Sequence, residues 1–395
     1  MQTVDVDCLL LGGGVSGLWL LNRLRAAGYS ALLIHDGAEL GGIQTLNSAG
    51  MIHGGLRFGL GALRNDHALD AMPGIWRNCL QGSGELDLRE VTLLSDAQHL
   101  WAEPDARARA ILFAAAMTGS AKVRRLPTDQ RPELLRHPSL RGEVYRIEHP
   151  VIDAASLVRV LAAPQADAVY QAGQNELHLE TDGRLGTRAV FIRKGAVQIR
   201  IHPRRVFLTA GAGNNALLQA VGLSRPMMNR KPVHMTCVLH ADLPEIHGHC
   251  YGIAPRPRLT LTSHRLPGGL MWYVGGEVAE NGVNRDEATQ IAAVRTELAR
   301  LLPWVNLAGA RYHTLMIDRI YPAERSLRAP IQAHVRSFGN NRLVWPTRLV
   351  LAPDAARQAL ESLGTEGFGP EHAQPDSLPL PRPAPGVPLW EKLFR

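Results

Sequence analysis

Hydrophobic positions at the start of the chain keep two alternating rhythms. Val6 and the unbroken run Cys8-Leu-Leu-Leu11 read as a buried strand, and Leu18, Leu21 and Leu24 then recur at helical spacing until Gly28 closes the helix. A second run, Ala31-Leu-Leu-Ile34, ends in His35-Asp36 and predicts a parallel strand, so the first forty residues read as one β-α-β unit. Residues 65–121 read as helical, with Ile75, Trp76, Leu80 and Ala110 to Ala114 as buried faces, and 127–141 as a polar surface excursion. Residues 145–161 predict a strand and a capped helix, and 168–177 and 189–201 the strands of a small meander. The rhythm changes after Lys231: residues 232–240, 258–264 and 270–278 are successive strands, with Pro267-Gly268-Gly269 as a hairpin turn. Residues 284–302 follow as an amphipathic helix with Ile291, Val294, Leu298 and Leu301 inward.

At 395 residues the chain can bury two sizeable cores. The pattern predicts an α/β protein, α+β overall. A discontinuous dinucleotide-binding domain would be assembled from 1–78, 145–226 and 315–368, and a second domain with an antiparallel sheet from 79–144 and 227–314. Residues 369–395 are proline-rich, an extended wrap or a loose end.

The first strand runs into a G-x-G-x-x-G turn. Gly12 lets the chain leave the strand tightly, Gly14 removes the Cβ that would block a pyrophosphate, and Gly17 lets the helix lie close on the sheet. Val15 and Ser16 open the helix, whose free N–H groups would face the diphosphate. Asp36 lies nineteen residues after Gly17, where a carboxylate would accept hydrogen bonds from a ribose. The stretch 37–58 is dense in glycine and small polar residues, the sign of a backbone held close to a ligand. Downstream, Thr209-Ala210-Gly211-Ala212-Gly213 is a second small-residue turn between a strand and a helix start.

Composition narrows the field. The formal charge is +7, which raises nucleic acid or anionic lipid as a partner. The basic residues are nearly all arginine and scattered, Lys122, Lys194, Lys231 and Lys392 being the only lysines, which argues for a coding bias over a binding face. Cys8, Cys79, Cys237 and Cys250 show neither C-x-x-C nor metal-ligand spacing and read as reduced thiols, with no metal site. The opening residues lack a basic n-region, and no apolar run reaches bilayer length. A cytoplasmic protein is expected, with peripheral membrane contact left open.

The nucleotide unit, the Gly41-Gly42 pair and the run Ser48-Ala-Gly50-Met-Ile-His53-Gly-Gly-Leu-Arg57-Phe58 resemble the front end of the D-amino-acid oxidase superfamily. The His53 to Phe58 segment is most similar to the flavin dehydrogenases of glycerol 3-phosphate and of L-2-hydroxyglutarate. The resemblance implies a Rossmann-like FAD-binding domain of the glutathione-reductase type. Gly42, Thr45, Asn47, Ser48 and Gly50 would lie along the coenzyme, and Ala210 and Gly211 would close over its diphosphate and ribose. Residues 341–354 resemble the family's closing segment at the flavin's pyrimidine end, through Thr347 and Leu349, although Pro346-Thr347-Arg348 replaces the usual glycine-rich version. The family's covalent histidine stands nearer Asn47 or Ser48, so noncovalent FAD is expected.

A reduced flavin carries negative charge, which Arg348 would stabilise unless it is merely a surface arginine. His53 is the first candidate for a base, with anchoring of FAD as its alternative. Strand alternation puts Arg258, Thr260, Thr262 and His264 on one face and His234, Thr236 and His240 on one face of the neighbouring segment, with Tyr273 joining them. Such a face would bind a carboxylate or phosphate, or would simply be solvated. The expected activity is removal of a hydride from a small anionic substrate, a 2-hydroxy acid or related CH–OH compound first and an amine or amino acid second. Oxygen, a quinone or a protein carrier would take the electrons. A tRNA-modifying flavoprotein and a non-catalytic FAD-bound scaffold are the other readings.

Overall fold

The computed structural model describes residues 1–54, 67–118, 123–223, 227–254, 256–323 and 332–394. Gly55 to Phe58 of the segment singled out above lie outside the described residues. Two eight-stranded sheets carry the molecule. In the first, the spatial order is Leu177–Thr181, Thr187–Lys194, Val197–Leu208, Gln2–Leu11, Ala31–His35 and Val169–Gln171, with Asn341–Trp345 and His334–Phe338 branching from Val197–Leu208. Gln2–Leu11 pairs in parallel with Val197–Leu208 on one side and Ala31–His35 on the other, which puts the turns that follow Leu11 and Leu208 side by side. The helix Val15–Ala26 packs on this sheet, with Leu18, Trp19, Leu20, Leu21 and Leu24 buried.

The second sheet runs Arg311–Pro322, Met228–His240, Gly269–Gly275, Pro257–Leu266, Gly248–Tyr251, Gln98–Ala102, Val144–Ile147 and Val123–Leu126. One face packs on the helix Glu287–Leu301 through Trp272, Val274, Leu259 and Leu261 against Val294, Leu298 and Leu301. Gln290 is buried on that helix, and its side chain donates to the His234 carbonyl at 2.9 Å. Ile291, predicted to point inward, is only half-buried.

Several expectations differ from this arrangement. Of the stretch 65–121, the described residues 67–118 hold two helices, His67–Leu80 and Ala106–Thr118, separated by the strands Leu93–Ser95 and Gln98–Ala102. The periodicity of residues 98–102 is that of a strand, with Leu100 and Trp101 buried on opposite sides of the second sheet. Residues 127–141 bury Leu134 and Leu135 in the second core rather than lying wholly on the surface. Val144–Ile147 and Arg311–Pro322 belong to the second sheet, although both regions were expected, in whole or part, in the nucleotide-binding domain. The reason at 311–322 is pairing: Met228 to Leu239 matches Pro322 to Arg311 at every position, a longer ladder than the first sheet could offer.

The tail is ordered onto the body. Ala384–Pro385 pairs with Glu39–Leu40, and the helix Leu389–Leu393 buries Trp390 against the second sheet.

Candidate active site

At the carboxyl ends of the first sheet, the glycines divide into those that are packed and those that are open. Gly12 has φ +118°, and a Cβ there would lie 2.5 Å from the Ala210 Cα; one on Gly17 would lie 2.0 Å from the Gly12 carbonyl oxygen. Those two positions fix the turn and the helix. Gly14 has no neighbour nearer than Thr45 Oγ1 at 3.4 Å, and Gly42 and Gly211, both at positive φ, have nothing within 4 Å. The backbone is therefore bare where a ligand would approach.

Thr45 Oγ1 accepts the Val15 N–H at 3.2 Å, and the Gly41 N–H donates to the Gly13 carbonyl at 2.8 Å, so the 41–45 turn is tied to the first glycine turn. Asn214 Oδ1 accepts the Ala210 N–H at 2.8 Å and shapes the second turn. Around them Ser16 Oγ, Asn214 Nδ2 and Asn215 Oδ1 are buried without a hydrogen-bond partner among the described residues. Asp36 keeps a half-exposed carboxylate, which accepts from Gln174 Nε2 at 2.8 Å. Bare glycines, helix-start N–H groups, orphaned polar atoms and a terminal acid together fit a dinucleotide coenzyme. Gly50, φ +65°, is closed instead: a Cβ would meet the Ile152 carbonyl oxygen at 1.9 Å. Ser48 Oγ accepts the Gly50 N–H at 3.4 Å.

The second sheet turns one face toward this groove. Tyr273 donates its hydroxyl to the Asn47 carbonyl at 3.1 Å. Register places Thr262 opposite Tyr273, Thr260 opposite Gly275, and His249 opposite Thr260, all on that face. His249 Nδ1 lies 3.0 Å from Thr260 Oγ1, and its ring meets His53 edge to face at 6.2 Å between centroids. Removal from water, the Arg348 charge and further cationic groups hold the His53 imidazole well below its ordinary pKa. Burial brings His249 and His149 down to about 4. His149 Nδ1 has no partner.

The Arg348 guanidinium is largely buried and, among the described residues, makes no hydrogen bond or ion pair; desolvation lowers its pKa. It sits in the segment that follows Asn341–Trp345, just ahead of the turn Leu349–Leu351 and the helix Ala352–Thr365. Thr347 has φ +63°, so a buried β-branched residue occupies a left-handed position of the kind that favours glycine. Arg319, whose Nη1 donates to Glu280 Oε1 at 3.3 Å, adds a second positive charge near His53.

The structure thus brings His53 and Arg348 together, but not His264, His234 or Arg258. His264 lies beneath the tail, 4.9 Å from the Trp390 ring, and its Nε2 is 3.3 Å from Thr262 Oγ1; burial takes its pKa to about 3. His234 is on the opposite face of the sheet, because Cys237 is the residue paired with Tyr273, and its Nδ1 bonds the Gly282 carbonyl. Arg258 is the extra residue of a bulge where Cys250 pairs with Leu259 and Tyr251 with Pro257. The bulge swings it out of alternation to Glu297, its bonded partner, with Glu103 3.5 Å away. Sequence reading missed His249 and His149. The signal for His249 was the alternation in Ile246-His-Gly-His249-Cys-Tyr251, which puts His247 and His249 on one face of a strand.

Residues 7–325 match the family model for DAO, FAD dependent oxidoreductase. The chain is 42% identical over 399 residues to the probable FAD-dependent oxidoreductase PA4991 of Pseudomonas aeruginosa, covering 100% of this chain and 99% of that protein. The crystal structure of PA4991 superposes with a TM-score of 0.85 and covers 100% of both chains. Glycine oxidase from Geobacillus kaustophilus shares the fold at TM-score 0.66 and 14% identity, covering 94% of this chain and 97% of that one. So does L-alpha-glycerophosphate oxidase from Mycoplasma pneumoniae with FAD bound, at TM-score 0.65 and 15% identity, covering 92% and 95%. With the glycine turns, the bare groove and these relatives in agreement, the chain belongs to the DAO family of FAD-dependent oxidoreductases.

Proposed function

We propose that this oxidoreductase takes a hydride from a small anionic CH–OH compound, a 2-hydroxy acid or a close relative. The observation that carries the reading is the charge around His53: among the described residues the groups acting on it, Arg348, His249, His149 and Arg319, are all cationic or neutral and none is a carboxylate. Such a pocket attracts an anion and repels an ammonium group. The similarity of the His53 to Phe58 run to glycerol 3-phosphate and 2-hydroxyglutarate dehydrogenases points the same way.

Bound FAD supplies the two-electron acceptor. Gly12, Gly14, Val15, Ser16, Gly17, Asp36, Gly42, Thr45, Asn47, Ala210 and Gly211 would hold its nucleotide and diphosphate side, and Thr347 and Leu349 its far end. The chain's own contribution to chemistry is a neutral imidazole beside a buried guanidinium. His53 or His249, kept neutral at pH 7 by burial, takes the hydroxyl proton. Arg348 holds the carboxylate or phosphate, which gives its guanidinium the partner that the described residues do not.

The test is anaerobic bleaching of the flavin's visible band over a panel of hydroxy acids, glycerol phosphate, amino acids and polyamines. Bleaching by a hydroxy acid or glycerol phosphate is expected. Bleaching by amines alone would reverse the order of preference.

A further inference from the structure

The family match ends at residue 325, yet residues 378–394 run along the wall of the FAD site and tie it to both sheets. The Leu378 N–H donates to Tyr170 Oη at 3.0 Å, and the Gln171 N–H to the Pro381 carbonyl at 2.8 Å. The chain then adds a short parallel strand beside Glu39–Leu40: the Ala384 N–H reaches the Ala38 carbonyl at 2.9 Å and the Gly386 N–H the Leu40 carbonyl at 3.1 Å. Gly386 is so close that a Cβ would stand 2.4 Å from the Leu40 oxygen. Next, the Leu389 N–H donates to Asn47 Oδ1 at 2.8 Å. Asn47 Nδ2 in turn holds the Ile43 carbonyl at 2.7 Å, and Asn47 O receives the Tyr273 hydroxyl. Trp390 seats against Tyr273, 4.5 Å between rings, and Lys392 pairs with Glu39 at 3.0 Å.

The segment so gripped, 36–47, carries Asp36, Gly42, Thr45 and Asn47. Its other edge is held by the Val15–Thr45 and Gly41–Gly13 bonds described above. Gly41 and Gly42 both have positive φ, so this turn would have many conformations open to it if one edge were released. We infer that the C-terminal segment is a positioning clamp for FAD: it holds the 41–47 turn in its binding shape through the 384–386 ladder and the Leu389–Asn47 bond. It contributes affinity by cutting the ordering cost of binding, without needing to touch the coenzyme. The inference rests on 36–47 forming part of the FAD site.

The test measures FAD affinity of the reconstituted apoprotein by flavin fluorescence, at a temperature where far-UV circular dichroism is native. Three chains are compared with the full-length protein: one ending at Val387, Gly386→Val and Trp390→Ala. The truncation and Gly386→Val should weaken FAD at least tenfold, about 1.4 kcal/mol, narrow the gap between holo and apo Tm, and alter the flavin's visible circular dichroism at saturation. Trp390→Phe should restore what Trp390→Ala loses. FAD affinity within twofold of the full chain for Gly386→Val, with apo and holo Tm lowered equally, would reduce the tail to packing and overturn the inference; should the truncation not fold, that variant decides alone. Loss of FAD by Gly14→Val with retention in the tail variants would leave the binding site standing and sink only the clamp.

Discussion

His53 and His249 meet edge to face at 6.2 Å although one follows a glycine turn of the first domain and the other sits on the second sheet. Neither position alone makes a site; the pair exists only where the two sheets close on each other. If one of these imidazoles takes the substrate proton, replacing that one should slow flavin reduction roughly 100-fold or more, and comparing His53→Asn with His249→Asn identifies it. FAD content should stay at the level of the parent. Stopped-flow absorbance with the substrate found in the bleaching screen checks both.

Arg348 holds a positive charge in a largely dry pocket with no partner among the described residues. Replacing it by Met removes a desolvation cost and a ligand contact together. Arg348→Met should therefore raise the Tm while weakening small carboxylates at least tenfold. Thermal scanning and titration of the flavin band with lactate or benzoate read the two effects separately.

Thr347 is forced to φ +63°. A β-branched residue there carries strain of about 1–3 kcal/mol, part of which glycine would return as chain entropy. Thr347→Gly is expected to stabilise the protein by about 1 kcal/mol, measured by denaturant unfolding. A loss of stability would mean that the Thr347 side chain is held by more than its weak 3.5 Å bond to the Gln332 carbonyl.

Stability should depend on pH through the buried histidines. His99, His149 and His249 are depressed to about 4 and His264 to about 3, from an ordinary 6.5, with burial the largest cause in each. Between those values and 6.5 the unfolded chain binds more protons, so the contribution is full above pH 6.5 and is lost as pH falls toward 4. Unfolding free energies at pH 7.5, 6 and 5 should fall in that order, and His99→Gln should flatten the slope.

Gly17 and Gly14 separate folding from binding. A Cβ at Gly17 collides with the Gly12 carbonyl, whereas at Gly14 it meets Thr45 Oγ1 and the Gly41 carbonyl oxygen, both at ordinary contact distance. Gly17→Val should give little soluble protein, and Gly14→Val a folded but colourless one. Expression yield, circular dichroism and the flavin absorption ratio distinguish them.

The nucleotide-binding unit was legible in the sequence because its signals are local: a strand, three glycines and a helix within about thirty residues, each needing only its neighbours. The central strands of the second sheet were legible as well, but not which side chains face the groove, because facing depends on register. His234 seemed to share a face with His264, but the pairing of Cys237 with Tyr273 turns it away. A single bulge does the same to Arg258. His249 was passed over because Gly248–Tyr251 is only four residues long and its parallel partner, Gln98–Ala102, lies far back along the chain. Trp390 came from a tail whose prolines left an extended wrap and a loose end both open; the wrap forms because another strand supplies the hydrogen bonds.

The long strand Val197–Leu208 has one further consequence. Its neighbours are residues 2–11 along one edge, and 190–194 followed by 341–343 along the other. During synthesis the first β-α-β unit, complete at His35, must wait for about 160 residues before its central partner begins at Val197, and for more than a hundred beyond that before the ladder is finished. The coenzyme domain is therefore a late assembly of high contact order, slow to mature and exposed to aggregation while it waits. Free FAD present during refolding should raise the yield by capturing the finished groove, and should do little for the rate at which the early strands find one another.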